Sequence, residues 1–302
     1  MYAQTAINGE HNPAALFMLM QISDSGMAAL KQQITAFYEK RHVLTRANPA
    51  NQVTTALAFS KEVWQKLHNN VPANFPDMPV ITGKHPLPAV PANLFVHITS
   101  KRPDLCYELA AALLDGWQGV NVLDERQGFR FHDYRDLTGF IDGIENPSEP
   151  SDQQSVTLLD ASAGDCQGGS FVFAQRFVHD LTQWNQQTVD EQEKTIGRTK
   201  WEGMELADDV KPPTAHNARS NINHDIMRYS LPYASAGGEK GLFFLAYTND
   251  LTVITTMIQR MYGLAEDGIT DRLLDFTTAV GGNYFFAPPQ DLLESMFELD
   301  DV

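Results

Sequence analysis

The sequence predicts an α+β fold built from two ferredoxin-like halves, and three observations support that prediction. Strand-like apolar runs alternate with helical patterns, long connections separate them, and a strand-then-helix junction recurs in each half of the chain. A length of 302 residues suits two domains, which we divide as 1–150 and 151–302.

Residues 15–22 read as a buried strand, and 25–41 as a helix with Leu30, Ile34 and Phe37 at helical spacing. A strand at 54–59 and a helix at 61–68 come next, and the proline-bearing stretch 72–91 is a long connection to a strand at 94–99. Pro103 sits near the start of a helix whose apolar face carries Leu105, Leu109, Ala112 and Leu113. The polar stretch 148–155 reads as a linker or surface loop. Residues 168–175 then read as a strand running into a helix through 179–184, with a second helical segment at 189–196. Residues 227–233 are strand-like up to a proline, and 241–248 form an apolar strand leading into a helix at 250–262. The recurring junction is Ala58-Phe59-Ser60 in the first half and Ala246-Tyr247-Thr248 in the second, each followed by an amphipathic helix.

A chain that is 43% hydrophobic and 10% aromatic has enough apolar surface to offset ordering entropy, which excludes a largely disordered protein. The balance of 22 basic against 38 acidic residues gives −16, which repels phosphate backbones and anionic lipid, so nucleic acid is not an expected partner. Cys106 and Cys166 are too few for a disulfide framework, and Cys106 sits in an apolar helical pattern as a small core residue. Residues 1–10 lack the basic start and apolar run of a secretory signal, and the apolar run 14–20 is too short to span a bilayer. Cytoplasmic residence without membrane contact is the expectation. The final residues, 298–302, carry no targeting extension.

The stretch Gly139-Phe140-Ile141-Asp142-Gly143-Ile144-Glu145-Asn146-Pro147 places two acids on a glycine-rich turn. Its glycines admit backbone conformations and close approach that a Cβ resists. By itself it also suits a plain connecting turn. A second unusual stretch runs from Lys211 to Asn221, where Pro212 and Pro213 precede His216 and Arg219. Arg228 lies among apolar and aromatic neighbours in the strand-like 227–233, where an arginine needs an anionic partner or a wet cleft. Arg198 and Lys200 flank a glycine turn and suit a ligand carboxylate or phosphate, or a solvated turn. Of the nine histidines, His11, His42, His68, His85, His97 and His179 have no partner at metal-ligand spacing and read as structural or surface residues. His132 with Asp133 lacks a third ligand.

Taken together and in this order, residues 139–147, 196–200, His216 with Arg219, 227–233 and 271–277 resemble the dye-decolourising peroxidase family in its compact bacterial cytoplasmic form. The resemblance spans about residues 139–289. It implies ferredoxin-like domains of the dimeric α+β barrel type, with one haem b held mainly by the C-terminal half. It also implies hydrogen peroxide and small-molecule reductants as partners, and a homo-oligomer, dimer or larger. By this similarity His216 is the proximal iron ligand, oriented by a carboxylate on a helix that carries Asp271 and Asp275 on one face, Asp271 being favoured. Asp142 becomes the distal acid and base, and Arg228 stabilises charge developing on peroxide. Ser230 would sit beside them, where many relatives carry asparagine. Arg198, Lys200 and Arg219 are the candidates for the haem propionates, Phe244 packs on the distal face, and Glu145 borders the haem. Two other classes compete: a haem or porphyrin carrier using His216 with little use of peroxide, and a non-haem hydrolase or metal protein using Asp142, Glu145, His132 and Asp133 as acids and ligands.

Overall fold

The computed structural model describes residues 2–222 and 224–299; residues 300–302, in the segment read as carrying no targeting extension, lie outside them. Nine strands form one antiparallel sheet: β1 Ala14–Ile22, β2 Thr54–Phe59, β3 Leu94–Ser100, β4 Val120–Phe129, β5 Ser170–His179, β6 Met227–Arg228, β7 Leu231–Ala234, β8 Lys240–Thr248 and β9 Thr277–Ala287. Their order is β4-β1-β3-β2-β9-β5-β8-β6, with β7 also on β8. The first four strands and the last five thus repeat one arrangement: β1 lies between β3 and β4, β5 lies between β8 and β9, and β6 and β7 together take the place that β2 has in the first half. This is the ferredoxin-like pattern, twice.

The halves join where Phe59 of β2 pairs with Phe286 of β9. At the other ends of the sheet, β4 packs against β7. Gly128 makes that approach possible, because a Cβ there would stand 2.7 Å from Leu231 Cβ. Arg176 of β5 adds an ion pair to Asp124 of β4, and another to Glu239 at 2.5 Å.

Both faces of the central strands are covered, which explains their nearly continuous apolar runs. Phe17, Phe95, Phe243 and Phe285 share the inner face, with Phe17 stacked on Phe243 at a centroid distance of 4.4 Å. Leu16, Met18, Val96 and Phe286 point the other way, to the helices.

Several boundaries depart from the sequence reading for identifiable reasons. The stretch 148–155 contains a helix, Pro150–Thr157, whose first-turn proline is preset for helical φ. The helix expected over 25–41 is split into Asp24–Met27 and Leu30–Ala47. Strand β5 runs on to His179, so the helix expected at 179–184 is only Leu181–Trp184. The strand over 227–233 is broken into β6 and β7.

Candidate active site

A cavity lies on the outer face of β5 and β8 in the C-terminal half. Phe173, Phe177 and Phe244 come from the strands, and Ile254, Met257, Ile258 and Met261 from the helix Leu251–Met261 that covers them. The walls are apolar. His216, Asp142 and Arg228 supply the contrasting chemistry in the same cavity.

Each polar group is fixed by local structure. The turn closed by the Ala215 N–H on Pro212 O at 3.0 Å delivers His216 as the first residue of the helix His216–Ser220. Its Nδ1–H donates to Asp271 Oδ2 at 2.7 Å, because a carboxylate can only accept. Among the described residues Nε2 meets no hydrogen-bond partner. Asp271 is fully buried and caps the short 3₁₀ turn Arg272–Asp275, its Oδ1 accepting from the Leu273 N–H at 2.8 Å. Burial lowers the His216 pKa, but the Asp271 carboxylate more than offsets this and leaves it above the ordinary histidine value.

Asp271 and Asp275 do not share a helix face. Asp271 precedes a 3₁₀ turn as its cap, and Asp275 turns away to Lys84 at 2.6 Å and His85 at 3.4 Å. Asp271 is therefore the partner of His216.

The loop carrying Asp142 is shaped by Gly139 at φ 91° and Gly143 at φ 75°, both in the left-handed region. The Asp142 carboxylate accepts from the Gly143 N–H at 2.7 Å, and the Asp142 N–H donates to Tyr134 O at 2.9 Å. Burial lifts its pKa above the carboxylate norm; Arg228 pulls it down and the Asp136 charge pushes it up. Arg228 is gripped through its backbone and Nε by Asn146 Oδ1, at 3.1 and 3.4 Å, while Asn146 Nδ2 donates to Arg228 O at 2.8 Å. Ser230 Oγ accepts from the Leu245 N–H at 3.3 Å and lines a small side cleft with Asp142, Arg228, His11 and Tyr134.

The proposed propionate cations do not line the cavity. Arg219 is buried and held bidentately by Asp267, at 2.7 and 2.9 Å, so its charge is already matched. Arg198 pairs with Glu145 and donates to Gly203 O at 2.9 Å. Lys200 donates to Gln192 Oε1 at 2.6 Å and packs over Phe140. Among the described residues, Asp142, Glu145, His132 and Asp133 form no metal-ligand grouping.

Sequence reasoning missed three residues of this site. Asn146 lay inside the quoted motif, but its grip on Arg228 spans 82 positions of sequence. Asp136 and His179 both line the cavity, paired at 3.0 Å, with His179 Nδ1 on Thr277 Oγ1 at 2.8 Å. No spacing signal links residues 43 apart.

The donor set fits a haem: an apolar slot, a histidine with one nitrogen pinned by a buried carboxylate, and an acid with an arginine in the same cavity. Comparison with known proteins agrees. The family models for the N-terminal and C-terminal parts of Dyp-type peroxidases match residues 4–130 and 133–292. A dye-decolourising peroxidase of Mycobacterium tuberculosis is 36% identical over 295 residues, covering 93% of this chain and 87% of that protein. The solved structure of a dye-decolourising protein from Vibrio cholerae superposes with a TM-score of 0.90 at 38% identity, covering 97% of this chain and 99% of that one. A Rhodococcus jostii DypB variant in complex with haem superposes at 0.87 with 32% identity, covering 94% and 96%. With both halves matched by family models and by close relatives over nearly their full length, the chain belongs to the dye-decolourising peroxidase family.

Proposed function

We propose that this chain binds one haem b in the cavity through His216, reduces hydrogen peroxide there, and oxidises dyes or small phenolic and aromatic reductants by single-electron steps. The observation that carries this is one cavity holding both the His216–Asp271 pair and the acid–arginine pair Asp142 and Arg228. A bound haem supplies the electrons that cleave the peroxide O–O bond. The protein's own groups manage protons and charge. Asp142, in its carboxylate form, accepts a proton from one oxygen of hydrogen peroxide and returns it to the departing oxygen, which leaves as water. Arg228 stabilises negative charge on the peroxide oxygens, and the apolar walls make that interaction stronger by keeping water away. Asn146 holds Arg228 ready for this work. Asp271 fixes the ring orientation of His216 and increases its basicity as a ligand.

Ser230, on the side cleft beside Asp142 and Arg228, is proposed to hydrogen-bond distal water or peroxide. Phe244 is proposed to pack on the distal haem face. The division into 1–150 and 151–302 is supported by the repeated strand order. Cytoplasmic residence and a homo-oligomeric state belong to the same proposal, and fractionation and light scattering read them out. Among the described residues no helix is long and apolar enough to cross a membrane. The test is reconstitution with haem followed by stopped-flow mixing with peroxide. Rapid spectral change in the parent, slowed in Asp142→Asn and Arg228→Ala, is the expected result; unchanged kinetics in Asp142→Asn would remove the acid's role.

A further inference from the structure

Away from the cavity, three side chains of metal-ligating type converge. A His68 ring nitrogen, an Asp165 carboxylate oxygen and Cys166 Sγ all lie within 4.8 Å of one another, and His68 Nε2 is 3.2 Å from Asp165 Oδ2. We propose that His68, Asp165 and Cys166 form a site for a divalent zinc-like cation that ties the two halves of the chain together.

The donors suit such an ion. One nitrogen, one oxygen and one sulfur match a borderline-soft metal, and three protein ligands leave a fourth tetrahedral position for water. Ligand bonds of about 2.0 to 2.3 Å require donor separations of roughly 3.3 to 3.8 Å, so only a modest contraction closes the site. The opening is polar: Asp165 is exposed and His68 partly so, while Cys166 is buried beneath them.

The surroundings hold the donors as outer partners hold metal ligands. Asn70 Nδ2 donates to Asp165 Oδ1, leaving Oδ2 toward His68. Trp64 stacks on the His68 ring at 5.2 Å. Asn70 O lies 3.3 Å from His68 Nδ1 and also accepts from Cys166 Sγ at 3.4 Å. Metal binding takes the thiol proton to solvent and ends the thiol's bond to that carbonyl, which still accepts from Trp64 Nε1 at 2.9 Å. His68 Nδ1 accepts from the Asn70 N–H at 3.2 Å in this structure; metal binding at Nε2 moves the ring proton to Nδ1, which then donates to Asn70 O, the usual outer-sphere bond of a metal-bound histidine. Gly164, at φ 62°, makes the kink that brings residues 165 and 166 under Asn70, whose Nδ2 would lie 3.2 Å from a Cβ at 164.

His68 follows the helix Lys61–Leu67, whereas Asp165 and Cys166 end the 3₁₀ segment Ala161–Cys166. A shared ion therefore bridges segments about 100 residues apart in sequence. That separation hid the cluster from any search by ligand spacing.

Burial pushes the Cys166 thiol up to about 12, so it enters the site protonated and must release its proton. The experiment is calorimetric titration of the haem-loaded protein with zinc chloride in two buffers of different ionisation enthalpy, repeated on Cys166→Ser and His68→Ala. The expected result is one zinc per chain with about one more proton released in the parent than in Cys166→Ser. Affinity should fall at least tenfold in both variants, and zinc should raise the melting temperature of the parent alone. Binding of equal affinity and equal proton release in Cys166→Ser, or no zinc binding by the parent, would overturn the proposal. Circular dichroism of His68→Ala, a partly exposed position, guards against a variant that has merely lost its fold.

Discussion

His97 is a buried group expected to weaken this fold in acid. It sits on β3 facing the inner core, 1% exposed, stacked on Phe17 at 5.2 Å, with Nδ1 3.0 Å from the Tyr247 hydroxyl. Burial pulls its pKa down from 6.5 to about 3, with His11 adding to the effect. The folded state therefore keeps His97 neutral in a range where the unfolded chain takes up a proton. Between pH 6.5 and about 3 the unfolded state binds more protons, so the contribution of His97 to stability is present above that window and is lost as pH falls through it. At about 1.4 kcal/mol per pH unit, the loss from this residue reaches roughly 3 kcal/mol by pH 4.5 and 4 to 5 kcal/mol near pH 3. His97→Gln removes the titration while retaining a group able to bond Tyr247. Urea unfolding of parent and variant at about pH 7 and 4.5, followed by two probes, isolates the effect. The parent should lose about 3 kcal/mol more than the variant on acidification. Equal losses would show that His97 is not the buried group responsible.

An acid limb of activity is separable from this. With the Asp142 carboxylate as the proposed base and its pKa raised by burial, peroxide reactivity should fall with acid at a pH above the ordinary carboxylate range. Arg228 lowers that pKa, so Arg228→Leu should move the limb of a stopped-flow pH profile to higher pH, besides slowing the reaction by about 10²- to 10³-fold. Asp142→Asn should slow peroxide cleavage by roughly 10²- to 10⁴-fold without loss of haem absorbance. Asp271→Asn removes the charged partner of His216 and should weaken haem affinity or activity about 10- to 100-fold, read by haem titration. Gly139→Ala strains a φ of 91° and brings a Cβ to 2.8 Å from Lys200 Cε; a stability loss of about 1 to 3 kcal/mol in denaturant is expected.

Much of this architecture was legible because local chemistry dictated it. The alternation of Leu16, Phe17, Met18 and Leu19 between two buried faces leaves a run that can only be an inner strand. Gly139 and Gly143 announced positive φ, and both have it. By contrast β4, over half of whose residues are partly or fully exposed, has too little apolar pattern to stand out and escaped the sequence reading. The pairing of His216 with Asp271 could be narrowed to two acids but not decided, since a helix and a 3₁₀ turn give residues 271 and 275 different neighbours. Arg219 shows the complementary limit. Nothing in its neighbourhood in sequence points to Asp267, 48 residues on, which holds its guanidinium.

The most direct test is the absorption spectrum of the purified protein, reconstituted with haem, for the parent and for His216→Ala, before and after one equivalent of peroxide. The parent should show a Soret band that changes rapidly with peroxide, and His216→Ala should lose or displace that band. A parent that binds no haem on reconstitution, or a spectrum unaltered by His216→Ala, would contradict the assignment of this cavity as a haem peroxidase site.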